Sequence, residues 1–199
     1  MAEEVQDGRV QRGARNRELI LDALFALVGS GEHQPTAEQV AQQAGVGTRT
    51  VFRHFADMES LYCEMNARVE KEVRPLLRGD LPTGDLSTRV TAWVDQRALV
   101  FERISPFLLS GQSVRHRSRF LQENHARFCR VLRADLERGF AKELDRGSGT
   151  SLLLDALDVV ASFEAWHRLR VDQGLGRARA ARVVKQSLLA IFAASGVTG

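Results

Sequence analysis

Apolar residues recur along this chain at helical intervals from about residue 20 to its end. In the first segment Ile20, Leu24, Leu27 and Val28 fall at i, i+4, i+7 and i+8, which is one face of a helix. The pattern stops at the sequence GSGEHQP, where two glycines and a proline interrupt it. There is no convincing run of alternating apolar and polar residues bounded by hairpin turns. The pattern therefore predicts an all-α fold.

Two short helices are predicted between residues 36 and 55. The sequence TAEQ places Thr36 at a helix N-cap and a glutamine three residues later, which is a capping box. Gly45 follows after two turns, at the position of a left-handed C-cap. The sequence TRTVFRHF then predicts the second short helix, and Asp57 caps a longer one.

The rest of the chain predicts longer helices after an internal boundary. Pro75 and the sequence RGDLPTGD mark that boundary. Beyond it, helical segments are expected at about 86–106, 115–144, 151–172 and 177–194. The predicted organisation is a disordered basic arm at 1–13, a small helical domain at 14–74 and a larger helical domain at 75–199.

Charge separates along the N-terminal third of the chain. The net charge is only +3, which permits a nucleic acid as partner without arguing for one. Between residues 9 and 55, however, all four acidic residues lie between two acid-free stretches, 9–17 and 39–56. Such segregation is typical of a surface that contacts DNA.

The spacing around Gly45 fits a helix-turn-helix. Ala41 is small where a second helix would cross the first, Gly45 tolerates a positive φ in the turn, and Val51 anchors the second helix. This leaves polar residues of the second helix free to face outward: Thr48, Arg49, Thr50, Arg53 and His54. Such a helix can enter a major groove, where Arg contacts guanine and Thr contacts a base edge or a thymine methyl. His54 and Thr36, near helix ends, are better placed for phosphates. The same spacing also occurs in ordinary helical hairpins.

Residues 14–65 resemble the DNA-binding domain of the tetracycline-repressor (TetR) family of bacterial transcriptional regulators. The family pattern T-x-x-x-[IV]-A-x-x-A-G-V-x-x-x-[ST]-[LVI]-[YF]-x-H-F is matched at Thr36, Val40, Ala41, Ala44, Gly45, Val46, Thr50, Val51, Phe52, His54 and Phe55. The match covers about a quarter of the chain. Beyond residue 70 only length and helical content agree.

The resemblance implies a set of DNA contacts. These residues are Arg15, Thr36, Gly47, Thr48, Arg49, Thr50, Phe52, Arg53 and His54. Two positions depart from the family: Phe52 replaces a tyrosine and Met58 replaces a lysine, and each departure removes a phosphate contact. The arm arginines Arg9, Arg12 and Arg15 are expected to compensate from the minor groove.

The resemblance also implies a dimer and a ligand pocket in the C-terminal domain. Apolar positions at helical spacing on the last two helices suit a dimer interface: Leu157, Val160, Val184, Leu188 and Ile191. Large aromatic residues and two histidines suit a pocket: Trp93, Phe101, Phe120, His125, Phe128, Phe163, Trp166 and His167. The alternative for both sets is that they only fill the core of their own chain.

A basic cluster lies at the start of one predicted long helix. Arg115, Arg117 and Arg119 stand with His116 in the space of five residues. The ordinary interpretation is a solvated helix start. The alternative is a site for an anionic ligand or a second contact surface.

Enzyme, metal and membrane motifs are absent from the sequence. It contains no G-x-S-x-G, H-E-x-x-H, G-x-G-x-x-G or P-loop, and its five histidines are dispersed. Cys63 and Cys129 lack zinc spacing and are expected to be reduced thiols. With neither a signal peptide nor a long apolar run, the expected compartment is the cytoplasm, without membrane association, cofactor or metal.

The sequence as a whole favours a ligand-responsive transcriptional regulator. We expect a repressor that binds a palindromic operator in double-stranded DNA as a homodimer and responds to a small, largely apolar ligand. One alternative is a helical small-molecule-binding or sequestering protein with weak, non-specific DNA binding. Another is an architectural or interaction protein that binds no ligand.

Overall fold

The computed structural model describes residues 2–77, 79, 81–145 and 150–197, and these residues form helices without any strand. The helices are α1 (Ala2–Gly29), α2 (Ala37–Ala44), α3 (Thr48–His54), α4 (Met58–Leu77), α5 (Leu86–Arg115), α6 (Arg119–Gly139), α7 (Ala141–Leu144), α8 (Thr150–Val160), α9 (Phe163–His167) and α10 (Arg177–Ala194). A π-helical segment, Arg168–Asp172, follows α9. The predicted all-α fold is confirmed.

The first helix is longer than the sequence predicted. It is helical from Ala2, which corrects the expectation of a disordered arm over residues 1–13. The reason lies in composition, because alanine, glutamate, glutamine and arginine are strong helix formers. The acidic residues of AEEVQD also stand at the N-terminal end, where the helix dipole favours negative charge.

The chain divides into two compact units. The N-terminal unit comprises the chain up to Lys71 together with Pro106–Glu123, and the C-terminal unit comprises Glu72–Ser105 together with the chain from Asn124 onward. The sequence placed a single boundary near residue 74. It also ended a helix at Pro106, whereas α5 continues through that proline to Arg115. Pro106 removes one backbone donor, and the helix tolerates this loss within its 30 residues.

One apolar core holds the N-terminal unit together. It draws on α1 to α6 through buried side chains: Ile20, Leu24, Val28, Val40, Ala41, Val51, Phe55, Leu61, Met65, Phe107 and Leu121. The last two come from the 106–123 segment. The ring of Phe107 packs on that of Phe25 with 4.4 Å between centroids. Segment 106–123 is therefore part of this core and not an appendage to it.

The core of the C-terminal unit is aromatic and contains a buried ion pair. Phe140 packs against Phe192 with 5.4 Å between ring centroids, and against Trp93 with 5.8 Å. Arg97, only 5% exposed, donates to Asp135 at 2.8 Å, and the Trp93 indole N–H donates to the same carboxylate at 3.1 Å. Burial lowers the pKa of Arg97 to about 10, while Asp135 opposes that shift, so Arg97 is charged at neutral pH.

Within the described helices, no stretch is both long and apolar enough to cross a lipid bilayer.

Candidate nucleic-acid interface

Helix α2 is fixed at both ends by the predicted caps. The Thr36 amide donates to the Gln39 side chain at 2.7 Å, and the Gln39 amide donates to the Thr36 hydroxyl at 3.2 Å. At the other end Gly45 has a φ of 67° and its amide donates to the carbonyls of Ala41 and Gln42. The chain therefore turns sharply where the sequence predicted a helix-turn-helix corner.

Helix α3 is short and is held by its apolar side. Val51 and Phe55 are buried in the core of the N-terminal unit, and no acidic residue stands in the first turn of α3. On the outer side Gly47, Arg49, Phe52 and Arg53 are exposed, while Thr48 and Thr50 are half-buried. The helix thus presents guanidinium, hydroxyl and aromatic groups on one acid-free surface.

Phe52 is unusual on this surface. It is 48% exposed, so almost half of a large apolar side chain faces outward from α3. A phenyl ring cannot donate a hydrogen bond to a phosphate. It can pack on the methyl group of thymine or on deoxyribose.

His54 is half-buried, whereas the sequence predicted an outward-facing side chain. Its Nε2 atom is buried and has no hydrogen-bond partner among the described residues. The ring lies beneath α1, so that a Cβ on Gly13 would come within 3.9 Å of its Cε1. Burial, then the positive charges of Arg53 and Arg17, lower the pKa of His54.

Arg17 fixes the end of α3, a role that the sequence did not reveal. Its guanidinium donates to the His54 carbonyl at 3.4 Å, lies 4.4 Å from the centroid of the Phe55 ring and forms an ion pair with Glu64. The sequence predicted DNA contacts for Arg9, Arg12 and Arg15 of the same basic run, and no role for Arg17. In the sequence, the one indication of a structural role for Arg17 is Glu64 on α4, which can form an ion pair with it.

The other arm arginines differ from Arg17. Arg12 and Arg15 are exposed on α1. The side chain of Arg9 lies outside the described part of the chain. Arg15 is therefore accessible for the contact that the sequence predicted.

The start of α4 is closed by a second capping box. The Ser60 amide donates to the Asp57 carboxylate at 2.7 Å, and the Asp57 amide is 3.3 Å from the Ser60 hydroxyl. Met58 is half-buried and packs against the core of the N-terminal unit. The carboxylate of Glu59 accepts a hydrogen bond of 2.6 Å from the Ser118 hydroxyl. The family's lysine position is thus occupied by a core-facing apolar side chain.

The predicted pocket residues lie in different surroundings. Trp93, Phe101, Phe163 and Trp166 are buried in the core of the C-terminal unit, where the ring of Phe101 lies 5.6 Å from that of Phe163 and 6.3 Å from that of Trp166. Phe120 is exposed and belongs to the N-terminal unit. The four buried aromatic side chains therefore belong to the core of this unit.

The two histidines of that set and Phe128 are half-buried. His125 Nε2 lies 3.5 Å from the Cys129 sulfur and 4.0 Å from the Glu164 carboxylate. His167 stacks at 5.8 Å on Phe163. Among the described residues no group of three or more His, Cys, Asp or Glu side chains could hold a metal ion.

A groove of about 410 Å³ lies elsewhere, between α5 and α10 of the C-terminal unit. Its lining residues are Thr91, Val94, Asp95, Ala178, Ala181, Arg182 and Lys185. None was predicted. The lining residues recur at i, i+3 and i+4 on both helices, but they are mostly small or charged, and such residues are not typical of an apolar pocket.

Three of the five predicted dimer residues are turned inward. Leu157, Val184 and Leu188 are buried in the core of their own C-terminal unit, since α8 and α10 pack on each other. Val160 and Ile191 are half-buried, and the interface stays a prediction. The opposite sides of the same two helices leave Leu152 77%, Val159 70% and Val183 38% exposed.

Comparisons with known proteins support the fold. The sequence matches no protein-family model and no curated protein. Among solved structures, a TetR-family transcriptional regulator from Streptomyces coelicolor has a TM-score of 0.70 and 15% identity, covering 91% of this chain and 82% of that one. A transcriptional regulator from Aquifex aeolicus has a TM-score of 0.63 and 15% identity, covering 88% of this chain and 99% of that one. The chain therefore has the fold of TetR-family regulators, as the sequence resemblance predicted.

Proposed function

We propose that this protein is a ligand-responsive transcriptional regulator, a repressor that binds a palindromic operator as a homodimer. The observation that carries the proposal is the acid-free outer surface of α3, with exposed Arg49 and Arg53 beside Phe52. A groove-reading helix needs such donors on a rigid support. The capped corner at Gly45 and the buried Val51 provide that support.

Each side chain of α3 suits a particular kind of contact. Arg49 can bind the O6 and N7 atoms of guanine, while Thr50 and Phe52 suit a base edge and a thymine methyl. Thr36 and Gly47 stand at the N-caps of α2 and α3, where backbone amides suit phosphates. Arg53, in the last turn of α3, suits the sugar-phosphate backbone.

The test is selection of duplexes from a random pool by the full-length protein, followed by anisotropy titration of the selected sequence. Arg49→Ala and Thr50→Ala are expected to weaken binding by about 1–3 kcal/mol and to relax the base preference at one position of each half-site. Arg179→Ala, an exposed arginine of α10, is the matched control. If the selected duplexes share no consensus sequence, or if the variants keep the base preference of the wild type, α3 does not recognise bases.

For the homodimer we propose the outward sides of α8 and α10 as the interface. Leu152 and Val159 are seven residues apart on α8, so they share one side of that helix, and Val183 adds an apolar group on α10. Val159→Asp is expected to give monomers in sedimentation velocity runs. Val131→Asp, at an exposed apolar position of α6, should leave the dimer intact. Dissociation by both variants, or by neither, would contradict the choice of interface.

For the ligand we propose a small, largely apolar molecule bound by the C-terminal unit. The groove between α5 and α10 supports this, because Val94, Ala178 and Ala181 give it apolar walls. A ligand can shift the equilibrium between the DNA-binding and non-binding states of the regulator only by its difference in binding free energy for the two, usually about 1–3 kcal/mol. The test is to screen a library of apolar compounds for members that release the selected duplex from the protein. If the groove binds them, Ala181→Trp should abolish this release, because the larger side chain fills the groove.

The alternative is a small-molecule-binding or sequestering protein with weak, non-specific DNA binding. The replacements at Phe52 and Met58 favour it, because each removes a phosphate contact that the resemblance implies. It predicts no consensus in the selection and DNA binding that disappears at moderate salt. The same titrations therefore decide between the two functions.

A further inference from the structure

A turn rich in arginine packs on the N-terminal unit although it lies far along the chain from α3. The basic turn consists of residues 115–119, from the last residue of α5 to the first residue of α6, and belongs to the segment Pro106–Glu123 of that unit. It contains Arg115, Arg117 and Arg119 with His116, and no acidic residue. The N-terminal unit thus carries a second concentration of positive charge.

The arginines of the basic turn are available to a partner. Arg117 and Arg119 are both exposed. Arg119 pairs with Glu123 one turn later, but the two side chains are 91% and 64% exposed. Surface pairs of this kind contribute little and exchange readily for a phosphate partner.

The basic turn is held in a defined place by Ser118. This side chain is buried, donates to the Glu59 carboxylate at 2.6 Å and accepts from the Leu121 amide at 3.1 Å. Eight residues earlier, on α5, the Ser110 hydroxyl donates to the His33 carbonyl at 2.7 Å. Glu59 is in the first turn of α4, five residues after the end of α3. The basic turn therefore sits against the segment that directly follows the proposed reading helix.

That location matters because of Met58. The start of α4 is where the sequence resemblance places a phosphate-binding lysine, and here Met58 packs into the core instead. The side chains of Arg117 and Arg119 flank Ser118, whose hydroxyl contacts the residue next to Met58. Consecutive Cα atoms are only about 3.8 Å apart, so the backbone of both arginines lies next to the residue that contacts the start of α4.

We propose that the basic turn is an accessory DNA-binding surface, which contacts phosphates just outside each operator half-site. The inference rests on the proposed function. The chemistry favours an extended polyanion over a small free anion, because the arginines are exposed and do not converge on a buried cavity. Binding of this kind gains its free energy from the release of counterions and carries no base preference.

The experiment compares two double variants, each of which removes two exposed arginines from α6 or from the residues just before it. Arg117→Ala with Arg119→Ala changes the basic turn, and Arg127→Ala with Arg130→Ala is the control with the same change in net charge. Full-length proteins are titrated by anisotropy against the selected consensus at several salt concentrations. Two duplexes are used, one limited to the palindrome and one with about ten further base pairs on each side, roughly one turn of B-DNA.

The proposal predicts that flanking DNA strengthens binding by the wild-type protein and by the control, but not by the basic-turn variant. The slope of the logarithm of the association constant against the logarithm of salt concentration is negative. On the long duplex, loss of one phosphate contact in each subunit of the dimer should make this slope less negative by about 1.8, and loss of two contacts by about 3.6. The base preference should not change.

Two results would overturn the proposal. In the first, the flanking base pairs increase the affinity of the basic-turn variant as much as they increase that of the wild type. The other is an equal loss on both duplexes in both double variants, which would reflect net charge alone. Failure of the proposed function is distinct, because the wild type would then select no consensus and Arg49→Ala would change nothing.

Discussion

Gly45 shows how one residue sets the corner on which the proposed interface depends. Its φ of 67° lies in the left-handed region, which costs an L-residue with a side chain about 1–2 kcal/mol. Gly45→Ala is therefore expected to lower the free energy of unfolding by about that amount, measured by urea denaturation.

Gly111 provides the opposite case. It lies within α5, and a Cβ there would meet no atom within 4 Å. Gly111→Ala should therefore stabilise the protein by about 0.5–1 kcal/mol, because alanine loses less backbone entropy in a helix. Equal effects of the two substitutions would show that the corner is not strained in the way that its φ indicates.

His54 gives the protein a dependence on pH at the residue scale. Its folded pKa lies below the ordinary value of 6.5, so at pH values between the two the unfolded chain binds more protons than the folded chain. The stability that comes from neutral His54 is complete above pH 6.5 and is lost as the pH falls toward the folded pKa. We expect His54→Gln to flatten the fall in unfolding free energy between about pH 7 and about pH 5.

At the scale of one element, α2 depends on its capping box. The reciprocal bonds between Thr36 and Gln39 satisfy backbone donors that the helix cannot pair by itself. Thr36→Ala should destabilise the protein by about 1 kcal/mol in urea denaturation, and Thr36→Ser should restore most of that loss. If alanine and serine at this position behave alike, the cap does not contribute to stability.

The same elements explain what the sequence could predict. The caps of α2 and α4, the corner at Gly45 and the anchor Val51 depend on contacts within a few residues, so short patterns were sufficient to identify them. Continuation of α5 through Pro106 depends on packing of residues 107–121 into a distant core, which no local pattern reports.

The orientation of the amphipathic helices was harder to predict. The spacing of apolar residues on α8 and α10 correctly predicted that one side of each helix is buried. The same spacing arises whether that side packs on its own chain or on a partner subunit. The structure turns Leu157 and Leu188 inward. His54 posed a similar problem, because its Nε2 atom is buried although α3 is amphipathic only over a few residues, and its neighbour Gly13 is distant in sequence.

At the scale of the whole molecule, the ion pair of Arg97 and Asp135 places two charges inside an apolar core. Asp135→Asn leaves Arg97 buried without a counter-charge and should destabilise the protein by about 3–5 kcal/mol. Replacing both residues, as Arg97→Met with Asp135→Leu, should recover most of that loss, because no charge is then left buried. A double variant as unstable as the single one in urea denaturation would contradict this account.

The N-terminal unit is assembled from two separate stretches of chain, and this affects how the protein can be divided. Phe107 and Leu121 are part of the core that supports α3, although more than 30 residues of the C-terminal unit lie between them and Lys71. A ribosome must therefore complete the chain beyond residue 121 before the proposed reading head has all of its core. Recombination that exchanges one unit for that of a relative likewise needs several crossovers, because a single junction after residue 74 would leave the head without these two side chains.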